Sequence, residues 1–108
     1  MSDEDKEKET SMVDISAIDI YPLIGLFINI LNTQAWQYMG LRINPATKKI
    51  EKDLAKAIVA IDIIAYLIDK LEIQLDDEER TRLRSLLSDL QINFIRQQKP
   101  SENKSEQK

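Results

Sequence analysis

The side chains of this chain that could take part in catalysis are carboxylates, and the two candidates in its apolar middle are Asp62 and Asp89. The chain contains no histidine and no cysteine. This excludes a Ser–His or Cys–His catalytic pair, thiol chemistry, disulfides, and zinc sites built on those residues. A catalytic acid also needs a second titrating group, and no neighbour in the sequence supplies one. We therefore expect no enzymatic activity and no cofactor.

Asp62 has an unusual position, because a helical wheel places it at the edge of an apolar face, beside Ile58 and one turn before Tyr66. Acidic side chains are almost never fully buried unless they are paired. We expect this carboxylate to be either solvated or paired with a basic side chain. The candidate partners are Arg42, Arg82 and Arg96.

The acidic run from Asp76 to Glu79 could suggest a cation site. It lacks the alternating oxygen ligands and the turn glycine of a calcium loop. Asp76 followed three residues later by Glu79 instead matches a helix-capping arrangement, and acids in a first turn complement the helix dipole. We interpret the run as the start of a helix.

The passage from Asn44 to Asp53 contains residues that are selected for more than bulk hydrophobicity. Pro45 presets a turn, and the Asn44 side chain can bond to the backbone two residues later. One interpretation is a structural turn, with Asp53 capping the next helix. The alternative is a recognition loop on a rigid scaffold that presents Asn44, Thr47 and Lys49 to a partner. The candidate motif is Asn44, Pro45, Thr47, Asp53 and Asp62.

Three helical segments position these residues, and no segment has the period of a strand. The first, Ile20 to Leu41, contains no charged residue. Asp19 is placed to cap it, Pro22 suits its first turn, and Gly40 suits its end. The second segment runs from about Asp53 to Leu71. The third follows Asp76 and ends near Gln98, since Pro100 disfavours helical geometry in the residue before it.

These segments predict an all-α protein, a small three-helix domain in which an antiparallel hairpin is joined by a third amphipathic helix. We expect residues 1–15 and 99–108 to be disordered charged tails around a domain at 16–98, because such compositions bury little apolar surface. The start of the chain lacks the pattern of a signal peptide, so we expect a cytoplasmic protein.

The charge balance argues against nucleic acid as a partner. The chain carries a net charge of −4, and most of that charge belongs to the N-terminal tail. The remaining middle is close to neutral, whereas nucleic-acid binding usually needs a clustered basic face. The only basic cluster along the sequence is Arg80, Arg82 and Arg84, and it follows directly on four acids.

The first two helices have more apolar surface than one neighbour could cover, and a domain of about 80 residues has a thin core. Surplus apolar surface of this kind favours a homo-oligomer, with a two-fold dimer preferred. Gly25, Asn29, Asn32 and Trp36 fall on one narrow stripe of the first helix, and the polar pair Asn29 and Asn32 on it could set the register of pairing. The candidate interface residues are Leu26, Phe27, Ile30, Leu31, Trp36, Ile63 and Tyr66.

Several runs between Asp19 and Arg96 carry a family resemblance. They are Ala35-Trp36-Gln37, Gly40-Leu41, Asn44-Pro45-Ala46-Thr47, Asp53-Leu54 with Ala57, Ala60-Ile61-Asp62, and Leu86 to Phe94. The chain resembles a small bacterial family known as domain of unknown function 1844. The resemblance implies a bacterial, cytoplasmic, helical protein and brings no assigned activity or catalytic residue. The family commonly has glycine where this chain has Lys48, and lysine tolerates a positive φ poorly.

Together these features favour a non-enzymatic module for protein interaction and self-association. The alternative is a peripheral membrane-associated protein in which the uncharged segment 20–41 rests on lipid. That alternative is weaker, because interfacial helices usually carry Lys or Arg on their polar face and this segment has neither. A membrane-spanning role is also disfavoured, because Asn29, Asn32, Gln34 and Gln37 interrupt the apolar run.

Overall fold

The computed structural model describes residues 16–98, and in this range it contains three α-helices and no β-strand. The helices are α1 (Ile20–Tyr38), α2 (Leu54–Leu71) and α3 (Asp77–Gln98), with a short 3-10 turn at Glu72–Gln74. The predicted all-α, three-helix fold is confirmed. The predicted tails at 1–15 and 99–108 lie outside the described residues.

The helix starts follow from local hydrogen bonding that the sequence predicts. Asp19 accepts from the Tyr21 backbone N–H at 3.3 Å, and Asp53 accepts from the Lys56 N–H at 3.1 Å. Before α3, Asp76 accepts from the Glu79 N–H at 2.8 Å, and the Glu79 carboxylate accepts from the Asp76 N–H at 3.5 Å. These bonds satisfy N–H groups that the helices leave without partners.

α1 ends at the predicted glycine. Gly40 has a φ of +82°, and its N–H donates to the Gln37 carbonyl at 3.0 Å. The Leu41 N–H donates to the Trp36 carbonyl at 3.1 Å. This pair of bonds is a Schellman motif, in which a left-handed residue closes the last turn.

The core lies where α2 meets both of the other helices. α1 and α2 form an antiparallel hairpin with the most extensive contact in the molecule, and α3 packs mainly on α2. Because α2 is central, it contributes more than half of the buried side chains. The buried residues are Ile28, Ala35, Met39, Ala57, Ala60, Ile61, Ile64, Ile68, Leu71, Leu87 and Leu90.

α1 and α3 touch each other much less than either touches α2. An open groove therefore runs along the molecule between them. Within residues 16–98, none of the helices combines the length and the hydrophobicity that a transmembrane helix requires.

Candidate functional site

The loop between α1 and α2 is held by bonds from Asn44. Its side-chain oxygen accepts from the Ala46 N–H at 2.9 Å, and its backbone N–H donates to the Lys49 carbonyl at 2.9 Å. Asn44 and Lys49 thereby form an isolated antiparallel bridge. The Lys48 N–H closes the turn on the Asn44 carbonyl at 2.8 Å. These hydrogen bonds give the loop the defined shape of a very short hairpin.

Lys48 occupies the position where the resemblance implies glycine, and its φ is +62°. It is the only described residue other than glycine with a positive φ. A side chain in this conformation is disfavoured by roughly 1–2 kcal/mol. The turn keeps the geometry of a glycine turn although its residue is lysine.

We expect Lys48→Gly to raise the free energy of unfolding by up to about 1 kcal/mol. The relief of left-handed strain exceeds the extra entropy that glycine loses on folding. Thermal unfolding followed by circular dichroism would show a rise in Tm of a few degrees, as expected for about 1 kcal/mol in a domain of this size. Lys49→Gly is the matched control, since Lys49 has an ordinary φ and should lose stability. Equal effects of both changes would contradict the strain argument.

The remaining motif residues do not converge on one site. Pro45 and Thr47 are exposed at the tip of the loop. Asp53 caps α2 through its bond to the Lys56 N–H. Asp62 is exposed on α2, and no basic group of the described residues lies within ion-pair distance of it. Of the two expectations for Asp62, the structure therefore shows the solvated one.

One face of the α1–α2 hairpin is not covered by α3. We call this surface the hairpin face. Phe27 is 47% exposed and Ile63 is 41% exposed, although both are large apolar side chains. Leu31 is half-buried against the core at the floor of the face. Its apolar residues are Phe27, Ile30, Leu31, Val59, Ile63 and Tyr66. Leu26, which was predicted to belong to the same interface, is exposed but lies by helical spacing on the side of α1 away from Leu31.

A furrow of about 210 Å³ runs along the hairpin face between the two helices. Its lining joins residues far apart in sequence, so both helices contribute to one surface. Lys56 lies at one end of the furrow, with its ammonium group 5.6 Å from the centre of the Tyr38 ring. The lining residues are Leu31, Gln34, Tyr38, Lys56, Val59, Ala60 and Ile63.

Trp36 was predicted to share the interface with these residues, but it lies on the other flank of α1. Its indole N–H donates to the Asn32 side chain at 3.2 Å. Both residues line the groove between α1 and α3, which has a volume of about 890 Å³ at this point. Gly25 and Asn29 line its continuation towards the start of α1. The predicted polar stripe of α1 thus faces α3 rather than the hairpin face.

Three of the four acidic side chains at the start of α3 form local hydrogen bonds or an ion pair. Asp76 and Glu79 form the capping box, and Asp77 pairs with Arg80. Among the described residues no three acidic side chains lie close enough to hold a metal ion together. Asp89 lines the groove between α1 and α3, whereas Asp62 is not among the residues that line it.

The fold separates charge along its length, which the linear sequence does not show. The end with the α1–α2 loop also receives the end of α3, because Lys52 donates to the Gln97 carbonyl at 3.3 Å. Six basic residues against two acidic ones (Glu51 and Asp53) collect there, a net charge of +4. The basic residues are Arg42, Lys48, Lys49, Lys52, Lys56 and Arg96. These six residues form a basic cluster in the folded domain in addition to Arg80, Arg82 and Arg84.

The opposite end is acidic. It contains Asp19, the segment 69–72 and Asp76 with the first two turns of α3, where seven acidic residues stand against Lys70, Arg80, Arg82 and Arg84, a net charge of −3. Arg84 pairs with Glu72. Arg80 is held by Asp77 and by the Leu75 carbonyl, to which it donates at 2.9 Å. The described part of the molecule is therefore nearly neutral overall but strongly dipolar.

Comparison with known protein families gives one match. The family described as Domain of unknown function (DUF1844) matches residues 22–96, which is more than half of the chain. This range includes all of α2 and almost all of α1 and α3. No curated protein and no solved structure matches the chain.

Proposed function

Because the chain belongs to the DUF1844 family, whose description assigns no activity, we propose from the structure that it is a non-enzymatic module that self-associates. The proposed assembly is a two-fold dimer in which the hairpin faces of two copies pack together. Such a dimer has the four-helix arrangement that covers apolar faces in many helical proteins.

The observation that carries this proposal is the exposure of large apolar side chains on one continuous face. A contiguous apolar surface on a small domain marks an interaction site, whereas isolated exposed apolar residues do not. Here Phe27 and Ile30 of α1 lie on the same side of the hairpin as Val59 and Ile63 of α2, and the furrow connects the two helices.

A second copy suits this face because the face is self-complementary. In a two-fold interface the same patch meets itself, so a charge near its centre would meet its own copy. α1 contains no charged residue, and the basic groups of α2 at this face, Lys56 and Lys70, lie towards its two ends. Asp62 is also exposed midway along α2, one turn from Val59 and Tyr66. The two-fold contact therefore requires this carboxylate to stay at the solvated rim, while the centre around Phe27, Leu31 and Ile63 is buried without a charge.

The size of the face is also adequate for a dimer. α1 has 19 residues, so at about 1.5 Å per residue it is roughly 28 Å long. Neighbouring helices lie about 8–10 Å apart, which gives a projected area on the order of 500 Å² for two helices side by side. Because side chains project from the helices, the solvent-accessible area of this face is larger than its projected area. It approaches the roughly 800 Å² that each partner buries in a standard interface.

We expect Ile63→Asp to weaken self-association by at least about tenfold, because it places a carboxylate where two copies would meet. Sedimentation velocity over a range of concentrations measures the monomer–dimer equilibrium directly. Ile63 is already 41% exposed, so the monomer should keep its helical content, which circular dichroism checks.

The matched control is Ile73→Asp, which makes the same change at an 80% exposed isoleucine away from the hairpin face. We expect this variant to associate like the wild type. A wild-type chain that sediments as a monomer at high micromolar concentration would refute the proposal. Equal weakening by both variants would place the interface elsewhere.

A further inference from the structure

The loop between α1 and α2 exposes aliphatic side chains among basic ones. Ile43 and Ile50 are each 54% exposed, and Leu41 is 44% exposed. The antiparallel Asn44–Lys49 bridge places Ile43 and Ile50 opposite each other, since each is the residue next to the bridge on its side of the loop. The loop hydrogen bonds hold this arrangement in place without burying it. We call residues 41–52 the basic loop.

The charges around these aliphatic residues have one dominant sign. Arg42, Lys48, Lys49 and Lys52 belong to the basic loop, and all four are exposed. The acidic groups of the described chain are concentrated at the opposite end. An approaching anionic surface would therefore orient the molecule with the basic loop towards it and the acidic end away from it.

We propose that the basic loop docks on anionic phospholipid surfaces, inserting Leu41, Ile43 and Ile50 between the headgroups while the surrounding lysines and arginine contact lipid phosphates. Aliphatic side chains surrounded by basic groups suit the interface of an anionic bilayer, in which apolar acyl chains lie beneath negatively charged headgroups. The inference does not depend on the proposed dimer, because the loop lies at the end of the hairpin and not on its face.

This membrane contact differs from one made by the uncharged first helix. Ile28 and Ala35 of α1 are fully buried against the rest of the domain, and the exposed Phe27 and Ile30 of the same helix belong to the hairpin face. α1 also has no basic group with which to attract an anionic surface. The basic loop supplies both the charge and the exposed aliphatic side chains.

Lipid fits the loop better than nucleic acid does. Single-stranded nucleic acid is usually held by aromatic side chains on which bases stack, and residues 41–56 contain no aromatic residue. Duplex binding requires a basic surface that follows several phosphates. Exposed isoleucine and leucine side chains contribute to neither mode, whereas insertion into lipid removes them from water.

Co-sedimentation of the full chain with vesicles tests the proposal. We expect binding to vesicles of phosphatidylcholine mixed with phosphatidylglycerol, and at least about tenfold weaker binding to phosphatidylcholine alone. Binding should weaken as salt is raised, because the charges are screened. A gel-shift assay with single-stranded and duplex nucleic acid runs in parallel.

Two variants separate the contributions of charge and insertion. Lys48→Glu with Lys49→Glu should weaken binding to the anionic vesicles by at least about tenfold. Ile43→Ser with Ile50→Ser should weaken it severalfold and leave the salt dependence in place. The controls are Lys70→Glu and Ile73→Ser at the opposite end, both exposed in the monomer, and both should bind like the wild type.

A fluorescence measurement reports insertion separately from adsorption. In a Trp36→Phe background, Ile43→Trp places the chain's only tryptophan in the loop, since Trp36 is the only natural one. Its emission should move to shorter wavelength on anionic vesicles. Absence of vesicle binding, equal loss in the control variants, or binding to nucleic acid alone would overturn the proposal. An unchanged emission on bound vesicles would overturn its insertion step.

Discussion

Ile64→Ala is expected to lower the free energy of unfolding by about 3 kcal/mol, the largest effect of a single substitution that we expect in this chain. Ile64 is fully buried and lies on α2, which packs against both other helices. Truncating it removes apolar burial and leaves a cavity that the neighbouring helices fill only in part. Urea unfolding followed by circular dichroism should show a lower midpoint with an unchanged slope.

The adjacent residue is a matched control. Ile63 has the same side chain on the same helix, but it is 41% exposed on the hairpin face. Its change to alanine should alter the stability of the monomer by less than about 1 kcal/mol. Both substitutions gain the same helix propensity, so the difference between them isolates burial. Equal losses for the two variants at low protein concentration would contradict the observed orientation of α2.

The same pair also bears on self-association. If the hairpin face is an interface, Ile63→Ala should lose more stability as the protein concentration rises, because association stabilises the folded state by mass action. Ile64→Ala should show its loss at every concentration. A concentration-independent result for Ile63→Ala would weaken the proposed dimer, even where the monomer result holds.

The helices could be predicted from the sequence because their determinants are local. Asp53, the pair Asp76 and Glu79, and Gly40 each act within one helical turn, and their spacing specifies the hydrogen bonds that they form. The burial of Ile61, Ile64 and Ile68 likewise follows from their helical spacing. These features depend on neighbours a few residues away, which the linear sequence displays.

The candidate surfaces could be predicted only in part, because they depend on how the helices pack. Trp36 was predicted to be an interface residue together with Phe27 and Ile63, yet packing places it in the groove beside Asn32. The basic end joins Arg42 and Lys52 to Arg96, which are far apart in sequence. No local pattern reports such a grouping, since it arises only when the end of α3 meets the α1–α2 loop.

The two glycines of the chain should respond to alanine with opposite signs. Gly40→Ala is expected to lower the free energy of unfolding by about 2 kcal/mol, because its φ of +82° lies in the left-handed region. An added Cβ would also lie 3.2 Å from Cβ and Cγ of Lys52. That side chain is held by its bonds to Gln97. Thermal unfolding should show a fall in Tm of about 10 °C.

Gly25→Ala should instead raise the free energy of unfolding by about 0.4–1 kcal/mol. Gly25 lies inside α1, where alanine is the better helix former. Apart from its two chain neighbours and the backbone of its own helix, no heavy atom of the described residues lies within 4 Å of an added Cβ. The combination of Gly40→Ala with Lys52→Ala identifies the cause of the loss at Gly40. If crowding by the lysine chain contributes, the double variant should lose less than the sum of the single changes. If the losses in the free energy of unfolding add fully, the loss at Gly40 comes from the backbone conformation alone. If Gly40→Ala stabilises the protein, the left-handed end of α1 is contradicted.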